Sequence, residues 1–281
     1  MKSKFSAIGA TVIILVMAAI VAWPVIFVEE ESLVFAVIPS EEGELTRQQF
    51  QPFVDYLENG LGQSVELLTV SDYAAVVEAM KYGHADIARL GPANYVMAVD
   101  EGADIEAIAV AIKESTGAPS YTAMIVTRAD SGASDLKGAS FAFVDVGSTS
   151  GYFAPSVYIK ERRIALGEIL MAGSHSAVIL AVKNGSVDAG AVASNRYYTA
   201  IGEGVIEGDE FTILWESDPI PNCPIAVQHS MNETLKKQLL ELLLSAPRDV
   251  VEHCGVGEIG YVEASDADYD VVREIQAFKN R

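Results

Sequence analysis

Three hydroxyl side chains stand between two glycines in the segment DVGSTSGYFAP, residues 145–155. Ser148, Thr149 and Ser150 follow the apolar run FAFV, which predicts a strand, and precede a pattern typical of a helix. The first backbone N–H groups of a helix have no partner inside it, and the helix dipole places about half a positive charge there. Hydroxyl groups add donors and can also cap the helix. The segment therefore predicts a cradle for a small anion, with a simple helix cap as the plain alternative.

The overall charge limits which anions such a cradle could serve. The 281 residues include 39 acidic and 19 basic ones, which gives a formal charge of −20. Nucleic acid is disfavoured, because neutralising its phosphates requires clustered lysine and arginine. Small anions remain compatible, since backbone N–H groups bind them without net positive charge. Half of the residues are hydrophobic, which is enough for a sizeable core and, at this length, for two domains.

Catalytic and metal chemistry find little support in the residue types. Cys223 and Cys254 are the only cysteines, and they form no CxxC or zinc-type spacing. One disulfide and two free thiols are equally compatible with them. A serine nucleophile would need Ser148 or Ser150 beside His175, but the sequence has no G-x-S-x-G elbow. The sequence therefore predicts a protein that is not an enzyme and that uses no cofactor or metal.

The N-terminus carries a signal for export. Lys2 and Lys4 precede an uncharged stretch over residues 5–28, which three glutamates end. About 20 apolar residues suffice to cross a bilayer, and the two lysines keep the N-terminus cytoplasmic. Residues 1–31 are predicted to be a cleaved signal peptide or a retained membrane anchor, and the long run slightly favours the anchor. The rest of the chain is expected in the periplasm or at the cell surface.

The elements that must position the hydroxyl cluster alternate between strand and helix patterns. Apolar runs rich in β-formers predict strands near 33–39, 64–70, 85–91, 105–112, 121–128, 141–144, 187–193, 211–217 and 225–228. Apolar residues at helical spacing predict helices near 45–62, 72–83, 93–101, 150–164, 175–185, 232–246 and 267–278, with a short one within 134–138. This alternation implies an α/β fold with a largely parallel sheet.

Several separated stretches resemble, in order and spacing, the phosphate, phosphite and phosphonate substrate-binding proteins of ABC transporters. They are DYAAVVEAM, GHADIARLGPANY, YTAMIVTRADSG, SDLKGASFAFVDVGSTSGYFAP, GSHSAVILAVKNGSVDAGAV and IPNCPIAV. The resemblance spans residues 33–251 and implies a type II periplasmic-binding fold, in which two lobes with central mixed sheets are joined by two hinge strands. Residues 33–122 with 225–281 would form one lobe and residues 123–224 the other. YTAMIV and CPIAVQ would be the crossings, and the lobes would close around the ligand by a hinge motion.

The same resemblance implies a set of ligand-binding residues. Residues 148–150 match the hydroxyl cluster that holds the oxyanion. Tyr73 and Tyr121 match tyrosines that reach the ligand from the first lobe and from the hinge. His175 matches a histidine at the start of a helix in the second lobe. Each has a plain alternative: a core tyrosine with an accessible hydroxyl, packing in the hinge, and a helix cap.

Two further positions bear on the choice of ligand. Asn195 lies where other members of the family place a polar residue that lines the cleft. Cys223 stands in IPNCP where binders of aminoalkylphosphonates tend to carry a carboxylate, and a thiol cannot form that charge pair with an amine. An amine-bearing ligand is therefore disfavoured. The choice among phosphate, phosphite and an amine-free phosphonate stays open.

The predicted function is capture of a phosphorus oxyanion outside the cytoplasm and its delivery to an ABC permease in the membrane. Convergent donors in a closed, dry cleft would supply the affinity, because hydrogen bonds to a charged group are stronger there. A membrane-anchored ligand sensor that uses the same fold is the alternative.

Overall fold

A computed structural model of the chain describes residues 32–38, 43–114, 116–131, 135–254 and 257–280. The predicted N-terminal span over residues 5–28 lies outside them. In the part of the chain that is described, no helix combines the length and apolarity needed to cross a membrane.

The strands of the described residues assemble into two main sheets and a short two-stranded ribbon. They are β1 (Leu33–Val37), β2 (Val65–Thr69), β3 (Ile87–Arg89), β4 (Ile105–Lys113), β5 (Ser120–Tyr121), β6 (Ala123–Arg128), β7 (Phe141–Phe143), β8 (Ile169–Met171), β9 (Ala189–Ala193), β10 (Phe211–Glu216), β11 (Ile220–Pro221), β12 (Pro224–Gln228) and β13 (Glu258–Glu263). The first sheet has the order β13-β4-β12-β3-β1-β2, and the second has the order β10-β6-β9-β7-β8.

Both main sheets are mixed, so the prediction of a largely parallel sheet is wrong. In the first sheet, β1 pairs in parallel with β2 and β3, whereas β12 and β13 run antiparallel to their neighbours. In the second sheet, β7 is parallel to β8 and β9, and β6 is antiparallel to β9 and β10. The late strands β12 and β13 return to the first sheet from the far end of the chain, and this return reverses their direction.

Within the described residues the chain passes between the two sheets twice, and the two passages pair with each other. Residues of β5 and β11 form the antiparallel ribbon, with Tyr121 opposite Ile220. The strand β6 then belongs wholly to the second sheet, and β12 belongs wholly to the first. A buried apolar cluster continues from Ala88 in the first sheet to Val192 in the second, so both sheets share one core.

The helices cover the faces of the sheets. They are α1 (Gly43–Leu61), α2 (Tyr73–Lys81), α3 (Pro92–Asp100), α4 (Ala154–Glu161), α5 (His175–Lys183), α6 (Ser194–Gly202), α7 (Glu233–Ser245), α8 (Arg248–Cys254) and α9 (Asp270–Asn280). Two of the starts that matter for the site have clear causes. Asp72 caps α2 by accepting from the N–H of Ala75 at 2.9 Å, and Pro92 begins α3, where its missing N–H costs nothing.

Several elements differ from the sequence-based expectation. The strands β8 and β13 and the helices α6 and α8 were not predicted, because their apolar residues are few or follow no clear period. Residues 135–139 contain a turn at Lys137 and Gly138 instead of the predicted short helix. The helix predicted over 150–164 ends at Glu161 and is preceded by a π-helical turn, Thr149–Phe153.

Candidate functional site

The hydroxyl cluster lies in the π-helical turn that follows β7. Ser148 accepts a hydrogen bond from the N–H of Gly151 at 3.1 Å, so the predicted capping role is present. A Cβ atom at Gly151 would collide with the side chain of Val144, which explains the glycine at this point of the turn. Ser148, Thr149 and Ser150 are nevertheless only 2–3% exposed, and all three border a cavity. Capping and cavity lining are therefore both features of this turn.

The cavity lies where the two main sheets meet, and its volume is about 60 Å³. One water needs roughly 10–15 Å³ of such space, so the cavity holds on the order of five small atoms. All of the predicted site residues border it: Tyr73, Tyr121, Ser148, Thr149, Ser150, His175, Asn195 and Cys223. Tyr121 lies in the ribbon, whereas the other residues lie in helices, in the turn after β7 or, for Cys223, between β11 and β12.

The two tyrosines bond into the hydroxyl cluster. Tyr73 is hydrogen-bonded to Ser148, and loss of solvent together with the nearby Cys223 raises the pKa of Tyr73 to about 12. Tyr121 reaches Ser150 and Thr149, and burial raises its pKa well above the ordinary value. Both phenols therefore stay protonated at neutral pH and keep an O–H donor. The hydroxyl cluster is thus extended from three side chains to five.

His175 begins helix α5 and presents a defined tautomer. Its Nδ1 accepts from the backbone N–H of Ala193 at 3.2 Å, so the ring proton sits on Nε2. Burial, reinforced by the positive charge of Arg196, lowers the pKa of His175 to about 3. The ring is neutral at physiological pH and offers one donor. The capping role belongs instead to Ser174, which accepts from the N–H of Ala177.

Asn195 and Cys223 complete the predicted set. Asn195 borders the cavity, and its Oδ1 is buried with no hydrogen-bond partner in the described part of the chain. Cys223 is partly buried, and both it and Cys254 are free thiols. The side chain of Cys223 is a thiol, so this position has no carboxylate with which to hold an amine.

A group of charged side chains that sequence reasoning missed also borders the cavity. Arg89 and Lys113 lie at the carboxyl ends of β3 and β4 and donate to Oε1 of Glu258 at 2.6 and 2.8 Å. Asn222 donates to the same oxygen at 3.2 Å. Arg89, Lys113 and Asn222 line the cavity, as does Arg196. The cavity is therefore surrounded by cationic groups as well as by hydroxyls.

The protonation states of this group follow from its burial. The side chain of Glu258 is 0% exposed, and burial alone would raise its pKa, but Arg89 and Lys113 outweigh this and lower it to about 2. Burial lowers the pKa of Lys113. Contact with Glu258 opposes this lowering, and the positive charge of Arg89 reinforces it. Glu258 is thus ionised at neutral pH. One signal was available in the sequence: single cations end the apolar runs of β3 and β4.

Close contacts join the two sides of the cavity. The N–H of Ala93, in the first turn of α3, donates to Oγ1 of Thr149 at 2.8 Å. A Cβ atom at Gly147 would lie 2.8 Å from Cβ of Tyr73 and 2.9 Å from Nδ2 of Asn94. The hydroxyl turn therefore packs directly against the starts of α2 and α3.

Comparison with known proteins gives the family. The model of a family described as ABC transporter, phosphonate, periplasmic substrate-binding protein matches residues 35–269. A relative named "Phosphate-import protein PhnD" from Mycolicibacterium smegmatis is 31% identical, over 87% of this chain and 85% of the relative. A relative named "Phosphonates-binding periplasmic protein" from Escherichia coli is 26% identical, over 89% of this chain and 78% of the relative.

Solved structures agree on the fold. The binding-protein component of an ABC phosphonate transporter from Pseudomonas aeruginosa superposes with a TM-score of 0.79 at 23% identity, covering 89% of this chain and 86% of that one. PhnD1 from Prochlorococcus marinus, in complex with methylphosphonate, gives 0.77 at 19% identity, covering 89% and 98%. These matches confirm the predicted type II periplasmic-binding fold, the transport role and the expectation that the protein is not an enzyme. The chain is thus an exported protein that belongs to the phosphonate family of ABC-transporter periplasmic substrate-binding proteins.

Proposed function

We propose that this chain captures a small phosphorus oxyanion in the cavity between its two sheets and hands it to the permease of its transporter. The observation that carries the proposal is the convergence of all eight predicted residues on one cavity. Hydroxyl, phenol and imidazole donors surround this space, and hydrogen bonds to an anion are stronger where water is excluded. The family match favours this transport role over the sensor alternative.

The size of the cavity supports a compact ligand. Its volume of about 60 Å³ suits a tetrahedral ion with four or five non-hydrogen atoms. Phosphate, phosphite and methylphosphonate meet this limit. 2-Aminoethylphosphonate is larger, and Cys223 offers its ammonium group no counter-charge.

We further propose that the ligand is enclosed by hinge closure of two bodies, residues 33–122 with 225–281 and residues 123–224. The two main sheets draw their strands from 33–113 with 224–263 and from 123–216, in keeping with this division. The ribbon of β5 and β11 is the natural hinge, because two passages of the described chain pair there between the sheets.

For the localisation of the exported protein, we propose attachment to the membrane through residues 5–28. The length of this uncharged stretch supports an anchor. Fractionation of cells that express the full chain tests it. Recovery in the membrane fraction after a high-salt wash supports the anchor, and recovery in the soluble periplasmic fraction contradicts it.

Calorimetric titration tests the proposed ligand class. The purified full chain, in detergent and free of phosphate, is titrated with phosphate, phosphite, methylphosphonate and 2-aminoethylphosphonate. We expect at least one of the first three to bind with a Kd below millimolar and the amine-bearing ligand to bind most weakly. Absence of binding by all four to folded protein would reject the proposal.

The hydroxyl cluster provides the matched variant. Ser148→Ala combined with Thr149→Ala should weaken binding by about 100-fold or more, since two donors to a charged group are lost. The exposed Ser230→Ala is the control and should leave Kd unchanged. Because loss of the Ser148 cap costs about 1 kcal/mol of stability, titrations are run well below the melting temperature of the variant.

A further inference from the structure

The cavity has a second polar wall that the hydroxyl cluster does not explain. Arg89 and Lys113 reach the cavity from the first sheet, whereas Ser148–Ser150 reach it from the turn after β7 in the second. Arg89 and Lys113 expose only 6% and 1% of their side chains, and their shared partner Glu258 exposes 0%. Together these three side chains carry a formal charge of +1. A buried positive charge therefore adjoins the space where the ligand is expected.

Arg89 has hydrogen-bonding capacity that its known contacts leave unused. Its Nη2 donates to Glu258, but its Nε is buried and has no partner within the described residues. A guanidinium carries five N–H donors in a fixed fork, and a buried charged donor without an acceptor is costly. The guanidinium lies over the ring of Phe50, 5.9 Å from its centroid, and Arg89 also borders the cavity, which an acceptor can enter.

We propose, building on the oxyanion capture put forward above, that Arg89 and Lys113 are specificity-determining residues that select inorganic phosphate. Both walls border one cavity of about 60 Å³, so a single small ligand can contact both. If three oxygens of a tetrahedral ligand meet the hydroxyl wall, the fourth substituent faces the cationic wall. A guanidinium and an ammonium at that wall require this substituent to be an oxygen.

The candidate ligands differ at that fourth position. Phosphate presents an oxygen, which accepts hydrogen bonds and carries negative charge. Methylphosphonate presents a methyl group and phosphite a hydrogen atom, and neither offers an acceptor to Nε of Arg89. 2-Aminoethylphosphonate presents an ammonium group, which Arg89 and Lys113 repel. An unpaired buried donor corresponds to a loss of about 5- to 150-fold in affinity.

The test is a calorimetric selectivity series on the full chain at neutral pH in phosphate-free buffer. We expect phosphate to bind at least about 10-fold more tightly than methylphosphonate and phosphite. Arg89→Met should weaken the binding of phosphate by about 30-fold or more and that of methylphosphonate by less than about threefold, so that the preference for phosphate disappears. Arg128→Met is the matched control, because Arg128 also ends a strand but pairs with Asp130 away from the cavity.

The outcomes separate this inference from the proposal on which it rests. Methylphosphonate or phosphite binding as tightly as phosphate overturns the inference but leaves oxyanion capture standing. An Arg89→Met variant that loses affinity equally for all ligands also overturns it, since that pattern indicates a structural role. No binding of any oxyanion by the folded chain rejects both. If the variant fails to fold, the wild-type series still tests the predicted preference for phosphate.

Discussion

Replacing Gly147 by alanine should separate ligand binding from folding. The new Cβ atom would lie 2.8 Å from Cβ of Tyr73 and 2.9 Å from Nδ2 of Asn94. Ordinary contacts between such atoms are about 3.5–4.0 Å, so the two sides of the cavity must move apart by roughly 0.7 Å or more. The backbone of Gly147 itself poses no obstacle, because its φ lies outside the left-handed region.

If the protein closes by the proposed hinge motion, the energetic cost falls on the closed form alone. Asn94 is 0% exposed and donates to the carbonyl of Tyr73, and Cβ of Tyr73 is fixed to the start of α2, so neither neighbour yields easily. Overpacking of this kind costs about 1–3 kcal/mol. If the halves separate in the ligand-free protein, the cost appears as a loss of about 5- to 150-fold in oxyanion affinity. The melting temperature of the ligand-free protein should hardly change.

Calorimetric titration with phosphate and thermal denaturation without ligand measure these two effects. Gly208→Ala is the matched control, because a Cβ atom there meets nothing within 4 Å. A Kd of Gly147→Ala within twofold of wild type would refute the reasoning. So would a fall in ligand-free stability that matches the loss in binding energy, since the contact would then be permanent.

Three further predictions concern protonation and ligand choice. Because the pKa of His175 is lowered to about 3 by burial and by Arg196, its NMR resonances should not titrate between pH 5 and 8, and a midpoint near the ordinary value of about 6.5 would contradict the assigned donor. Glu258 has its pKa lowered from 4.5 to about 2, since its cationic partners outweigh burial. The free energy of unfolding should therefore lose about 3 kcal/mol through this group as the pH falls through that window, which urea denaturation of wild type against Glu258→Gln measures. Cys223→Asp should improve the affinity for 2-aminoethylphosphonate relative to that for phosphate by about 10-fold in calorimetry. An unchanged ratio of the two affinities would contradict the assigned role of this position.

The fold was predictable to the extent that its elements carry their own periodicity. Helices such as α1 and α7 bury regular apolar stripes, and the resemblance supplied the order of the lobes. The strand β8 was missed because it has only three residues, Ile169–Met171, which are too few to show a period. The strand β13 was missed because a charged residue, Glu258, begins it. Neither strand has the alternation from which strands are inferred.

The site residues likewise fall into those that a local sequence pattern indicates and those that only the fold brings together. The hydroxyl cluster is contiguous in sequence, so a local pattern indicated it. Arg89 and Glu258 are 169 residues apart, and only the sheet brings them within hydrogen-bonding distance. A lone cation in an apolar strand indicates a buried charge, but its partner cannot be identified before the strand order is known. Lys113 is a second example of the same limit.

The hydrogen bond from Ala93 to Thr149 has a consequence for release. A hydroxyl that accepts a bond is polarised and becomes a stronger donor, so the amide of Ala93 strengthens Thr149 and, through it, Tyr121. If the two halves separate by the proposed hinge motion, this bond is lost and the hydroxyls become weaker donors. A permease that pulls the halves apart would therefore weaken the hold on the cargo with the same movement that opens its exit.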